Sequence, residues 1–225
     1  MKARKILVSI AALALVAAIS IGGTLAYLTS KDTVTNTFTV GNVSITLDEA
    51  KVNEDGKAVN KSGNVVDNLA AADRVKANDY HLIPGHTYVK DPTVTVLAGS
   101  ENSYVRMLVT VTFGKTLTDG QLATNLDSIF TGYDGAAWVR ADKQAKTVGE
   151  GDAAHTVITY EYRYNTTVSA GAGNNVLPAL FTGITVPGDW NGDTLAAIGG
   201  FTIGIEAQAI QADGFDNADA AWAKF

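Results

Sequence analysis

Hydrophobic and polar residues alternate with period two along most of the chain, which places successive side chains on opposite faces of an extended strand. In Tyr104–Phe113, Val105, Met107, Val109, Val111 and Phe113 share one face, opposite Arg106, Thr110 and Thr112. From His155, Ile158, Tyr160, Tyr162 and Tyr164 oppose Thr159, Glu161 and Arg163. From Phe201, the set Phe201, Ile203, Ile205, Ala207 and Ala209 opposes Thr202, Glu206 and Gln208. Thr93–Leu97, Ala136–Arg140 and Gly183–Pro187 are shorter strand candidates. Helical signals are confined to Thr118–Phe130 and Asp216–Lys224, the second with Asn217 or Asp216 as its cap. Turn-rich stretches at 53–64 and 169–175 predict an exposed loop and a hairpin tip. The pattern predicts an all-β fold, a jelly-roll-like two-sheet sandwich with a few short helices.

The first strand candidates differ from these in one respect. Val34, Phe38 and Val40 occupy even positions, whereas Val43, Ile45 and Leu47 occupy odd ones. A one-residue shift sends the apolar set to the other face, so a bulge or hinge is required at Gly41 and Asn42. Two strand segments with separate partners are expected on either side of it.

Upstream the periodicity disappears. Lys2, Arg4 and Lys5 form a basic head, and residues 6–21 are apolar apart from Ser9 and Ser20. Small residues at Thr24 and Ala26 follow, the pattern of a secretory signal peptide cut between Ala26 and Tyr27. The alternative is an uncleaved anchor, since residues 6–28 are long enough to cross a bilayer. The expected organisation is a signal peptide over residues 1–26 and one β-sandwich domain over residues 27–225. Membrane contact is then expected only before cleavage. The chain's end carries no LPxTG-like signal, so sortase attachment is not expected.

Composition narrows the chemistry. The 225 residues carry 17 basic and 23 acidic side chains, a net charge of −6. Removing the three basic residues of the head makes the body more acidic still, which disfavours phosphate neutralisation and hence nucleic-acid binding. There is no cysteine for a disulfide or a thiolate metal site. Three histidines remain. His81 and His86 flank a Pro84-Gly85 turn and do not have the helical spacing of a zinc-peptidase motif; His155 opens a strand. No nucleophile elbow, phosphate loop or dinucleotide fingerprint occurs. Asp189, Asn191 and Asp193 resemble the start of a calcium loop, but the sixth and twelfth positions, Thr194 and Gly200, do not fit. Asp213, Asp216 and Asp219 read as acidic residues around a helix start. Three Asn-x-Ser/Thr patterns, at Asn42, Asn60 and Asn165, matter only for a chain exported by a eukaryote. Tyr160, Tyr162 and Tyr164 suit a packed sheet face better than a binding platform. No catalytic residues, metal ligands or cofactors are expected.

Residues 22–49, with Gly23-Thr24-Leu25-Ala26, Tyr27 and Gly41-Asn42-Val43, resemble the N-terminus of the TasA and camelysin family. Pro84-Gly85, Thr93–Val96 and Tyr104-Val105-Arg106 are similar to its central segment, and residues 200–222 to its closing strand and helix. The resemblance implies an exported Gram-positive protein, processed by a signal peptidase of the SipW type, that polymerises into fibres of the extracellular biofilm matrix. It also implies donor-strand exchange, in which an N-terminal strand of one subunit completes the sheet of the next. Here that strand is residues 27–40, with Tyr27, Leu28, Val34, Phe38 and Val40 as its contacts. Two alternatives stay open: a camelysin-like secreted metallopeptidase, and a monomeric fibre-anchoring or adhesion module.

Overall fold

The computed structural model describes residues 41–225 apart from 82, 119–125 and 191. The cleavage pair Ala26 and Tyr27, the strand contacts Tyr27, Leu28, Val34, Phe38 and Val40, most of the predicted Thr118–Phe130 helix, and Asn191 all lie outside these residues. Gly41 and Asn42 lie just inside, exposed and without regular structure.

The three strongly alternating segments are neighbours in one antiparallel sheet. Strand β4 (Ser100–Phe113) is flanked by β11 (Phe201–Gln211) and β7 (His155–Tyr164), and β6 (Trp138–Val148) adds to β7, giving the order β11-β4-β7-β6. The predicted faces pair in register: Val111 with Ile203 and Ile158, Val109 with Ile205 and Tyr160, Met107 with Ala207 and Tyr162. Two smaller antiparallel sheets are built from β1 (Ile45–Asp48), β3 (Thr93–Val96) and β9 (Asn175–Val176), and from β2 (Thr87–Val89), β10 (Gly183–Thr185) and β5 (Phe130–Thr131). The buried cluster combines Val105–Phe113, Ile158, Tyr160 and Trp138 of the large sheet with Val94, Val96, Tyr88 and Ile184 of the small ones. Apolar faces meeting in this way make an all-β sandwich.

Several local expectations are corrected. The strand read as Ala136–Arg140 begins at Trp138 and continues to Val148, with every residue after Trp138 exposed. Neither of its faces is covered, so alternation could not reveal it. Ser169–Asn175 is not a hairpin tip: β8 (Val168–Ala170) pairs with β4 while β9 pairs with β3, so the segment crosses between sheets. The loop at 53–64 contains an Asx turn, with Asn60 Oδ1 accepting from the Ser62 amide at 3.0 Å. It is not wholly exposed, however, because Gly56 and Val59 are buried. Gly56 has φ +73°, and a Cβ there would lie 2.2 Å from the Tyr88 ring, so only glycine allows this close approach.

Two α-helices are present among the described residues, α1 (Gly192–Ile198) and α2 (Ala218–Trp222). The first is not predicted by the sequence, because its seven residues are too few to establish a helical period. The second starts where expected: Asn217 Oδ1 accepts from the Ala220 amide at 2.9 Å. Trp222 of this helix lies 4.2 Å from the Arg106 guanidinium, anchoring the chain's end on the outer face of β4. Within the predicted Thr118–Phe130 helix, the described residues Leu126–Ile129 form a 3-10 turn and Phe130 already belongs to β5.

Candidate functional site

The two edges of the large sheet differ. Edge strand β6 carries Arg140, Asp142, Lys143 and Lys146 and is broken by a register shift between Arg140 and Asp142. Charges and bulges are the usual protections against further strand pairing. Edge strand β11 has no bulge and little charge. It pairs with β4 over eleven uninterrupted positions and has one charged residue, Glu206.

The orientation of its backbone follows from the ladder. The Gly114 amide donates to the Gly200 carbonyl at 3.1 Å, and the Ala212 amide to the Asn102 carbonyl at 2.8 Å. Hydrogen-bonded pairs alternate in an antiparallel ladder, so the even residues of β11 face β4. Phe201, Ile203, Ile205, Ala207 and Ala209 therefore direct their N–H and C=O groups to the open edge, where no strand pairs with them among the described residues. Their side chains form the apolar row that is only partly buried against the core.

Across a cleft lies a second edge that no strand covers among the described residues. The Leu97 amide donates to the Ser44 carbonyl at 2.8 Å, which directs even residues of β1 to β3 and leaves Ile45 and Leu47 facing outward. β1 lies against β11, and Leu47, Ile203 and Ile205 line the space between them. From Asn42 onward the chain is fastened to the β3–β4 turn: the Glu101 amide donates to the Asn42 carbonyl at 2.9 Å, and Ser44 and Ser100 bond each other at 3.1 Å.

The floor of the cleft is polar. Arg74 bonds Asp48, Asp91 Oδ2 at 2.8 Å, the Asp91 carbonyl at 2.9 Å and Thr93 Oγ1 at 3.0 Å, tying β1 to the start of β3. Beside it, Lys90 Nζ donates to Glu49 Oε2 at 2.6 Å, and Asn78 Nδ2 donates to Glu49 Oε1 at 2.9 Å. Glu49 and Lys90 are each 6% exposed. No periodicity marks these residues; contact among segments distant in sequence brings them together.

Tyr80 closes this group. Its hydroxyl donates to the Val89 carbonyl at 3.1 Å and Lys90 Nζ lies 5.2 Å over its ring. Burial, and then the charge of Glu49, hold its phenol above its ordinary value. The unfolded chain releases that proton more readily than the folded one, so the stabilisation is complete below about pH 10 and declines as pH rises beyond it. Tyr80→Phe is expected to flatten this alkaline decline while costing about 1 kcal/mol at neutral pH through the lost hydrogen bond. Urea unfolding of both proteins at about pH 8 and about pH 11 tests this.

The other candidates are dispersed. His81 and His86 are exposed at the turn before β2, and His155 Nδ1 lies 3.0 Å from the Ala153 carbonyl. Asp193 falls in the first turn of α1 and Asp219 pairs with Arg163. Among the described residues, no three His, Cys, Asp or Glu side chains are grouped to hold a metal ion. Tyr160 and Tyr162 are buried in the core, and Tyr164 packs edge-on to Trp138 at 5.1 Å, so this face is packing surface. Among the described residues no helix is long and apolar enough to cross a membrane.

Comparison with known proteins gives one result. Residues 2–73 match the family model of the camelysin metallo-endopeptidases, which runs through β1 and Glu49 as far as the residue before Arg74. No curated protein and no solved structure matches the chain.

Proposed function

We propose, for a chain whose residues 2–73 match the TasA/camelysin family, a structural role: a secreted protein that forms fibres of an extracellular matrix by donor-strand exchange. One observation carries this reading. The large sheet has one charged, bulged edge and one long edge that no strand covers among the described residues, and the latter borders a cleft in which Leu47, Ile203 and Ile205 stand over a polar floor. The occupant suited to that cleft is residues 27–40 of a second copy. That segment alternates, presents Val34, Phe38 and Val40 on one face, and adjoins the expected cleavage point. An added strand gains ladder hydrogen bonds from an open edge and specificity from its alternate side chains. A head-to-tail contact that does not close into a ring grows into a filament. While the signal is attached to a membrane the strand is not available, so a signal peptidase of the SipW type would release assembly.

The matched family model is that of the camelysin metallo-endopeptidases, and peptidase activity is the competing reading. No observation on the described residues favours it over the fibre role.

The test compares a chain beginning at Tyr27 with one beginning at Gly41. The longer chain is expected to form fibres visible by negative-stain microscopy, and the shorter one to stay monomeric with an unchanged circular dichroism spectrum. Fibres from the shorter chain would sink the donor-strand reading. Casein hydrolysis by the longer chain, abolished by a chelator, would favour the peptidase instead.

A further inference from the structure

Glu49, Asn78 and Lys90 belong to three separate segments and meet beneath the cleft. Glu49 follows β1, its amide and carbonyl bonded to Val75 at 2.8 Å in both directions. Lys90 follows β2, its amide donating to the Thr182 carbonyl at 3.3 Å. One carboxylate therefore holds an amine on one oxygen and a carboxamide on the other.

The orientation of the Asn78 amide is fixed by the backbone. Its Oδ1 accepts from the Val52 amide at 3.0 Å, and its Nδ2 donates to the Ala50 carbonyl at 2.8 Å. A flipped amide would lose both bonds. This places an N–H donor at the oxygen, a carboxyl group at the nitrogen, and a buried amine on that same carboxyl group.

We propose that these three residues form an intramolecular isopeptide bond between Lys90 Nζ and Asn78 Cγ, with Glu49 as the proton carrier. A proton passing from Nζ to Oε2 along their hydrogen bond removes two buried charges at once and leaves a neutral amine, the nucleophilic form. The amine's lone pair forms the Nζ–Cγ bond, and the carbonyl pair moves to Oδ1, where the Val52 amide stabilises the negative charge. Glu49 gives its proton to Nδ2 and takes one from Nζ. The Cγ–Nδ2 bond breaks, ammonia leaves, and the carbonyl re-forms. Ammonia then takes the remaining proton and Glu49 returns to its carboxylate. No oxidant or metal is needed, and holding the groups together supplies the effective concentration that free amine and amide lack.

The consequence is a covalent tie in a chain with no cysteine. It would fasten the segment carrying Asn78 to the β2–β3 connection, beside the cleft that the proposed donor strand enters. The inference does not depend on fibre formation, and its test is carried out on monomer.

Intact mass spectrometry of the purified full-length chain decides it. The wild type is expected about 17 Da below the mass of its sequence, whichever N-terminus is found, because one ammonia is lost. Trypsin should fail to cut after Lys90, and fragmentation should place the deficit across Asn78 and Lys90. Glu49→Gln, which keeps shape but cannot carry the proton, and Lys90→Met should both appear at full mass. A wild type at full mass overturns the proposal without recourse to any variant. So does a deficit that persists in Lys90→Met, since that would be a succinimide at Asn78.

Discussion

Ala207→Pro is expected to yield a folded monomer whose fibres form only at much higher concentration. Ala207 sits on β11, opposite Met107, with its N–H directed to the open edge rather than to β4. Proline there removes a donor that the native monomer's β4–β11 ladder does not use, and edge strands tolerate proline at such positions. An incoming strand would bring a carbonyl to that place and find no partner. A buried carbonyl left unsatisfied costs about 1–3 kcal/mol, which raises the critical concentration roughly fivefold to 150-fold. Ala207→Ser, with its amide intact, is expected to assemble like the wild type. Sedimentation of fibres over a concentration series measures both. Equal critical concentrations for Ala207→Pro and the wild type would show that β11 is not the accepting edge.

Trp138→Ala is expected to cost about 3–5 kcal/mol, a large part of the roughly 5–15 kcal/mol that holds a domain folded. The side chain is 0% exposed, its Nε1–H donates to the Pro178 carbonyl at 3.0 Å, and its ring meets Tyr164 edge-on. Truncation loses the buried area, leaves a cavity and strands the carbonyl. Trp138→Phe retains most of the area and loses only the bond, so it should cost far less. Urea unfolding should show the midpoint falling with little change in slope. A loss below about 1 kcal/mol for Trp138→Ala would mean that the site collapses around the smaller side chain.

β11 and Trp138 differ in how far the local sequence marks them. β4, β7 and β11 are legible because each has one face against the core and one against solvent or a thin cover, so burial imposes period two on residue choice. Asn217 is legible because a cap acts within one turn. The rest of β6 is not, since both faces of Arg140–Val148 are exposed and nothing selects alternation there. β5 and β9 have two residues each, fewer than any period needs. The polar floor is not legible in the sequence for another reason. Glu49, Arg74, Asn78 and Lys90 look like ordinary surface residues in their own neighbourhoods, and only their assembly gives them partners.

Local sequence determined the all-β class and the principal strands with their buried faces. These depend on the contrast between water and core at neighbouring positions, which a few residues suffice to record. Tertiary structure decided which edge of the large sheet is left without a partner strand among the described residues, how Ser169–Asn175 crosses between sheets, and that one carboxylate joins an amine to an amide. Each depends on segments far apart in the chain meeting at hydrogen-bond distance, and no local pattern encodes such a meeting.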